Sequence, residues 1–177
     1  MIDAGIKASA QTVVKHPVAV RIGNGVTSIG DFTFQGCSLL TNVTIPTNVT
    51  SIGEAAFFNC SSLSSVTIGD GITNIGNMAF ATTSLSNVTI TNNVMNIGSW
   101  AFMQCTSLTS VTIGNSVTSI GDAAFERCSE LAEIKVEGKT QAEAEALLTN
   151  ARVPIGCRIK TWNYVSQEWV KEQDFVE

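Results

Sequence analysis

The sequence is short of charge. Asp, Glu, Lys and Arg make up only 14% of its 177 residues, against roughly 25% in an ordinary soluble domain. The shortage is sharpest in the middle, where no lysine or arginine stands between Arg21 and Arg127. Nucleic-acid binding depends on Lys and Arg to neutralise phosphates, so no nucleic-acid partner is expected. A membrane-surface role through a basic amphipathic face fails for the same reason. Histidine is almost missing. His16, beside Pro17, is the single one, which leaves no ring to spare for a Ser-His-Asp triad or a multi-histidine metal site. Acid pairs such as Asp122 and Glu126 can be drawn, but a spacing of four on a short turn reads as a solvated face. No enzyme activity, metal or other cofactor is expected. No apolar run approaches the roughly 20 residues of a spanning helix, so no membrane insertion is expected. The start, MIDAGIKASA, has neither a basic n-region nor an apolar h-region, the two marks of a secretory signal.

Small polar residues take the place of charge: 20 Thr, 17 Ser and 13 Asn. With 44% hydrophobic residues the chain can bury a core, and it lacks the charge-rich composition of disordered segments. Self-similarity organises what is there. Ile-Gly pairs stand at Ile29-Gly30, Ile52-Gly53, Ile75-Gly76, Ile97-Gly98 and Ile120-Gly121, 22 or 23 residues apart. Phe34, Phe57, Phe80, Phe102 and Phe125 follow at a constant offset. Three residues on come Cys37, Cys60, Cys105 and Cys128, with Thr83 in the third copy. Leu40, Leu63, Leu85, Leu108 and Leu131 then precede a V-x-I step, from Val43/Ile45 through Val111/Ile113 to Ile134/Val136.

Each copy can be read physically. L-x-x-V-x-I alternates, as a half-buried strand does. V-x-x-I-G reads as a second short extended piece, whose Gly serves an unusual backbone angle or a close approach to the next coil. G-x-x-A-F suits a single tight helical turn. About six apolar side chains per copy point one way, and a lone 23-residue coil cannot cover them. Copies must therefore stack, with strands of successive coils paired in parallel. The third copy is one residue short between Phe80 and Leu85, a deletion expected to be absorbed in a loop.

These columns resemble the Treponema-type leucine-rich repeat of BspA-like surface proteins. The stretch LTNVTIPTNVTSIGEAAFFNCSSL, residues 40–63, is similar to that motif in nearly every column. The resemblance covers about 18–138 and implies a right-handed solenoid with the L-x-x-V-x-I strands on the concave sheet. It also implies a bacterial cell-surface or extracellular location and an adhesion or protein-binding role. Pro after the strand survives only at Pro46, where Gly69, Thr91 and Gly114 stand in other copies.

The expected fold class is thus a mostly-β repeat solenoid with short helical turns and a C-terminal α/β cap. Its parts are an N-terminal cap over 1–17, the solenoid over 18–138, and a C-terminal cap over 139–177. In the last of these, Thr140 and Glu143 form a capping box. Ala142, Ala146 and Leu147 can share one helix face, and Pro154 stops the helix. Arg158–Trp162 and Gln167–Val170 read as a two-stranded ribbon. Helix and Trp162 would seal the last coil, whose strand edge would otherwise invite association. The alternative is that Trp162, Tyr164 and Trp169 bind a ligand or partner.

The ladder cysteines recur with the repeat, without the C-x-x-C pairing of zinc sites. Equivalent Cβ atoms run side by side too far apart for a good disulfide, so small buried thiols are expected, with Cys157 outside the ladder as the most reactive. The sequons at Asn42, Asn48, Asn59 and Asn87 follow from the repeat's own wording.

Because strand side chains alternate, the residues before and between the V-x-I pair face outward. Asn42 and Thr44, Ser65 and Thr67, Asn87 and Thr89, Ser110 and Thr112, then Glu133 and Lys135 are the candidate partner-binding residues. Threonine's liking for strands explains the same pattern without any partner. The face offers hydrogen bonds to a protein or glycan, host extracellular matrix among them, but no Trp, Tyr or Arg anchor. An alternative is a structural or attachment component of a larger particle, such as a phage fibre.

Overall fold

The computed structural model describes residues 2–3, 18–163 and 168–174. Apart from Ile2 and Asp3, the N-terminal cap expected over 1–17 lies outside the described residues, as do His16 and Tyr164. Strand β1 (Ile2–Asp3) pairs in parallel with β2 (Val20–Arg21). The repeats then supply β3 (Ser28–Ile29), β4 (Asn42–Thr44), β5 (Ser51–Ile52), β6 (Ser65–Thr67), β7 (Asn74–Ile75), β8 (Asn87–Ile90), β9 (Asn96–Ile97), β10 (Ser110–Ile113), β11 (Ser119–Ile120) and β12 (Glu133–Val136). Helix α1 (Gln141–Leu148) and strands β13 (Arg158–Asn163) and β14 (Glu168–Asp174) follow. The result is a mostly-β parallel solenoid with one short helix, as the periodicity requires.

The V-x-x-I-G pieces stack as one parallel sheet in the order β11-β9-β7-β5-β3. Ile52, Ile75 and Ile97 stand opposite one another in register. The V-x-I strands stack on the other side of the coil, Val88 against Val111 and Val111 against Ile134. Between the sheets lies the core. Phe57, Phe80, Phe102 and Phe125 are each 0% exposed, and Phe80 lies 5.2 Å from Phe57 and 5.6 Å from Phe102, ring on ring.

The Ile-Gly column serves close approach. A Cβ on Gly76 would come within 2.6 Å of the backbone of Gly53 in the preceding coil. On Gly30, in the first repeat, it would meet nothing nearer than a hydroxyl at 3.4 Å. The turn that follows contains no regular helix. Its backbone enters the left-handed region twice per coil, as at Ala55 and Asn59 or Trp100 and Gln104. Left-handed non-glycine residues cost roughly 1–2 kcal/mol each. What offsets this is a row of inter-coil bonds: the N–H groups of Ala55, Phe57 and Asn59 donate to the carbonyls of Asn77, Ala79 and Ala81, 2.8–3.0 Å away. All three donors point toward the C-terminal end of the stack.

The deletion in the third copy reaches beyond its loop. The V-x-I strands divide there into β4-β6 and β8-β10-β12-β13-β14. The bond bridging the gap, Ser86 N–H to the Ser64 carbonyl, is stretched to 3.4 Å. Val66 is half-buried, while Val43 and Val88 are each 2% exposed.

At the C-terminal end the donor row is met by the segment after α1. Ala123 and Phe125 donate to the carbonyls of Asn150 and Ala151 at 2.7 and 2.8 Å. The capping box of α1 is present: Thr140 N–H donates to Glu143 Oε2 at 2.8 Å, and Thr140 Oγ1 accepts from the Glu143 N–H. The buried helix face is Ala144 and Leu148, with Leu147 half-buried against the core beside them, and Ala142 and Ala146 face solvent. This corrects the face expected from the sequence. The helix also ends at Leu148, with Thr149 as its C-cap, well before Pro154. It stops because Asn150 and Ala151 are claimed by the donor row.

Candidate functional site

The V-x-I strands place the ten predicted residues on the outward side of the coil, four on the two-stranded sheet β4-β6 and six on β8, β10 and β12 of the five-stranded sheet. Parallel, in-register pairing fixes Asn42 beside Ser65 and Thr44 beside Thr67, and Asn87, Ser110 and Glu133 form one column with Thr89, Thr112 and Lys135 in the next. Asn42, Thr44, Ser65, Thr67, Asn87 and Thr89 are exposed, whereas Ser110, Thr112, Glu133 and Lys135 are half-buried. The side chains are short and uncharged until β12. Asn42 and Asn87 each turn sideways to a neighbouring hydroxyl, of Thr41 and Ser86, at 3.2 Å, so the surface is flat.

The face does not stop at β12. Strand β13 pairs with it in parallel, setting Glu133 beside Arg158 and Lys135 beside Lys160. Ile159 and Thr161 are buried below, so by alternation Arg158, Lys160 and Trp162 point outward. Strand β14 then pairs antiparallel with β13, with Trp169 opposite Trp162. The two indoles meet edge to face at 5.0 Å, and Lys135 Nζ lies 5.5 Å from the centre of the Trp169 ring, a cation–π distance. Glu133 takes both lysines, Lys160 at 2.8 Å and Lys135 at 3.3 Å. Chiefly through the Lys160 hydrogen bond, these hold its carboxyl below the usual carboxylate range.

Two expectations change here. The part of the Thr/Asn face on β8 and β10 and the tryptophan pair, alternatives in the sequence, share one five-stranded sheet, with the aromatic rings at its C-terminal end. Trp162 is also no part of the buried seal, which is made by Ala144, Leu148, Val153, Cys157 and Ile159. Arg158 and Lys160 were not among the predicted residues. The alternation in R-I-K-T-W contained that signal, but nothing in the sequence says which strand lies beside it.

The five cysteines are free thiols. Those of the inner coils donate across the stack: Cys60 Sγ to the Phe34 carbonyl at 3.0 Å, Cys105 to Phe80 at 3.2 Å and Cys128 to Phe102 at 3.1 Å. Thr83 takes the equivalent place with a 2.8 Å bond to the carbonyl of Phe80 in its own coil. Burial pushes Cys60, Cys128 and Cys157 up to about 12. The reactive thiol expected at Cys157 is thus misplaced: that residue is 1% exposed, and Cys37, in the first repeat, is the half-buried one.

Elsewhere, Asp122 is exposed and Glu126 pairs with Arg152 at 3.6 Å. Among the described residues no helix is long and apolar enough to cross a membrane.

The profile of the BspA type Leucine rich repeat region matches residues 19–150, in six copies. The chain belongs to this family. No curated protein matches it, but solved structures do. A leucine-rich repeat protein of Treponema pallidum, TpLRR, is 32% identical over 67% of this chain and 58% of its own, with a TM-score of 0.65. A protein from Faecalibacterium prausnitzii, described as a leucine rich cell surface protein, is 30% identical over 79% of this chain and 36% of its own, with a TM-score of 0.70. The pneumococcal vaccine antigen PcpA, 18% identical with a TM-score of 0.71, shares the fold. This BspA-type chain therefore spans a little over half of the Treponema protein and about a third of the other two.

Proposed function

We propose that this chain is a non-enzymatic recognition module that holds a macromolecular partner across the outward face of its V-x-I strands, in an adhesion role at a cell surface. One observation carries the reading. Equivalent short polar side chains repeat from coil to coil on an exposed, ordered backbone, so one extended partner can meet the same hydrogen-bonding group again and again. Each contact is weak, and the sum depends on repetition along the face and on many copies at a surface. The description of the Faecalibacterium relative as a cell surface protein supports the location.

The test is capture from a panel of purified extracellular-matrix proteins and glycans. Thr67→Lys with Thr89→Lys should leave the melting temperature unchanged, because both residues point outward and are exposed. The double variant should lose whatever partner the wild type captures. Equal capture by the two proteins would overturn the assignment to this face.

A further inference from the structure

The turns after the Ile-Gly column carry a surface that the V-x-I face does not use. We propose that the ridge built by Phe32, Phe58, Met78, Trp100 and Met103 is a docking surface for an amphipathic helix of a partner protein, one whose apolar stripe is flanked by lysine or arginine. This goes beyond the assignment of binding to the V-x-I face and does not depend on it.

Position comes first. Two places recur in each turn, two and five residues after the glycine, on either side of an inward pair such as Ala56 and Phe57. Where one place holds alanine the other is large, Ala55 with Phe58 and Met78 with Ala81, and Trp100 and Met103 fill both. Neighbouring turns are joined N–H to carbonyl in register, so these side chains form one strip over four repeats. Phe32 is 50% exposed and Trp100 38%, the most open aromatic side chains among the described residues. Phe58, Met78 and Met103 are half-buried. Contiguous exposed apolar surface marks an interaction site.

The backbone points the same way. Phe32, Met78 and Trp100 hold left-handed backbone, with φ of 57°, 52° and 56°. Gly or Asn adopts that region more cheaply, and a bulky residue there is unusual. Such outliers collect at binding sites and ligand clamps.

The same backbone selects the kind of partner. The N–H groups of Phe32, Ala55, Met78 and Trp100 donate to the next coil, and their carbonyls accept from the residue three places on. An added strand finds no ladder here, so the partner must satisfy its own backbone, as a helix laid on an apolar surface does. Length agrees. Phe32 to Trp100 is three coil steps, roughly 14 Å at 4.8 Å each, and about three helical turns of 5.4 Å cover it.

Charge selects the flank. Asp31 and Glu54 stand immediately before the ridge places of their repeats and are exposed. Asn77, Ser99 and Asp122 continue that column. No lysine or arginine stands between Arg21 and Arg127. Arg21, on β2, lies beside β4 on the V-x-I side of the stack. Arg127 and the Glu126–Arg152 pair come only in the fifth repeat. The ridge is thus bordered by acid over its first two repeats and by neutral side chains over the next two. A basic flank complements that border, whereas a second copy of this chain or an anionic membrane would bring negative charge against it.

The experiment uses the full chain and three peptides about four helical turns long: leucine–lysine and leucine–glutamate peptides patterned as amphipathic helices, and a leucine–lysine peptide with the pattern scrambled. Binding is followed by calorimetry and peptide helicity by circular dichroism. The basic amphipathic peptide should bind and gain helicity, and the other two should bind at least about tenfold more weakly. Phe32→Gly with Trp100→Gly removes the exposed rings at places whose φ suits glycine. This variant should lose about tenfold or more in affinity and keep its melting temperature. Because Trp100 is partly covered, Glu54→Lys supplies a second test at an exposed position, with weaker binding of the basic peptide and stronger binding of the acidic one.

The proposal is overturned if the basic amphipathic peptide does not bind, if the acidic or scrambled peptide binds equally well, or if either variant binds like the wild type. Two further measurements bear on the occupant. A dimer in sedimentation that the glycine variant abolishes would assign the ridge to a second copy. Capture on phosphatidylglycerol vesicles that it abolishes would assign the ridge to a membrane. Either result would overturn the helix.

Discussion

The two ends of the V-x-I face rest on the same backbone and present opposite surfaces. Over β4 to β10 the outward residues are Asn, Ser and Thr. Over β12 to β14 they include Glu133, Lys135, Arg158, Lys160 and two tryptophans. Beneath both, the inward residues hardly change: Val88, Val111, Ile134 and Ile159 form one buried column. Stacking explains the contrast. An inward residue touches its equivalents in two neighbouring coils, so a change in one coil must be accommodated by three. An outward residue touches water on one side and can vary coil by coil, which is how such a scaffold takes on chemistry at one end without disturbing the other.

That contrast can be broken from the inside or sharpened from the outside. The largest effect should come from Phe80→Ala, which empties the centre of the ring stack. A loss of about 3–5 kcal/mol is expected, as for other large-to-small core changes. Urea melts showing less than about 1 kcal/mol would mean that the stack is not the core.

Next in size is Gly76→Ala. Its methyl would press on the backbone of Gly53, a contact that cannot relax by rotating a side chain. Overpacking of this kind costs roughly 1–3 kcal/mol. Gly30→Ala, at the same column of the first repeat, should change stability by less than about 0.5 kcal/mol. The pair of melts measures the stacking constraint directly, and equal losses would deny it.

The thiols report the same distinction without mutation. Burial raises Cys60, Cys128 and Cys157 to about 12 and raises Cys37 too, though it is only half-buried. Native alkylation followed by mass spectrometry should modify Cys37 first. The other four should react only when the chain unfolds.

A smaller effect is expected at Glu133. Its carboxyl lies below the ordinary range in the folded protein, so its contribution to stability is present above the unfolded value of about 4.3. It fades as pH falls through the lower folded value. Glu133→Gln should flatten the acid limb of melting temperature against pH and leave the curve above about pH 5 little altered. An identical acid limb would show that the two lysines do not hold this carboxylate in solution.

The smallest change in stability belongs to Thr67→Lys with Thr89→Lys, within about 0.5 kcal/mol by chemical denaturation. A larger loss would show that the outward face is bound into the fold and not free to vary.

Much of this molecule could be read from its repeats. Recurring Ile-Gly, Phe, Cys and Leu columns determine the coil, because a 23-residue unit with six inward apolar groups has no stable form except a stack. The same alternation decides which residues of V-x-I face out. The Ile-Gly glycine admits two roles from sequence, and the structure shows close approach in place of an unusual angle. The turn after it needed coordinates, since nothing in G-x-x-A-F announces two left-handed residues per coil or a donor row running along the stack. The effect of the single deletion is likewise hidden: the break in the ladder between β6 and β8 depends on how one shortened loop places the two strands, and only three dimensions show that.

The face tells the same story. The sequence by itself determined the neutral lattice from Asn42 to Thr112, because each of those residues is positioned by its own repeat. Only the tertiary structure decided that β13 and β14 extend the lattice, that Arg158 and Lys160 join it, and that Trp162 and Trp169 stand at its end. The physical reason is that local alternation fixes which way a side chain points along its own strand. Which strands lie side by side is settled by long-range backbone pairing, and residues 139–177 lie beyond the repeat columns, with no register of their own to reveal it.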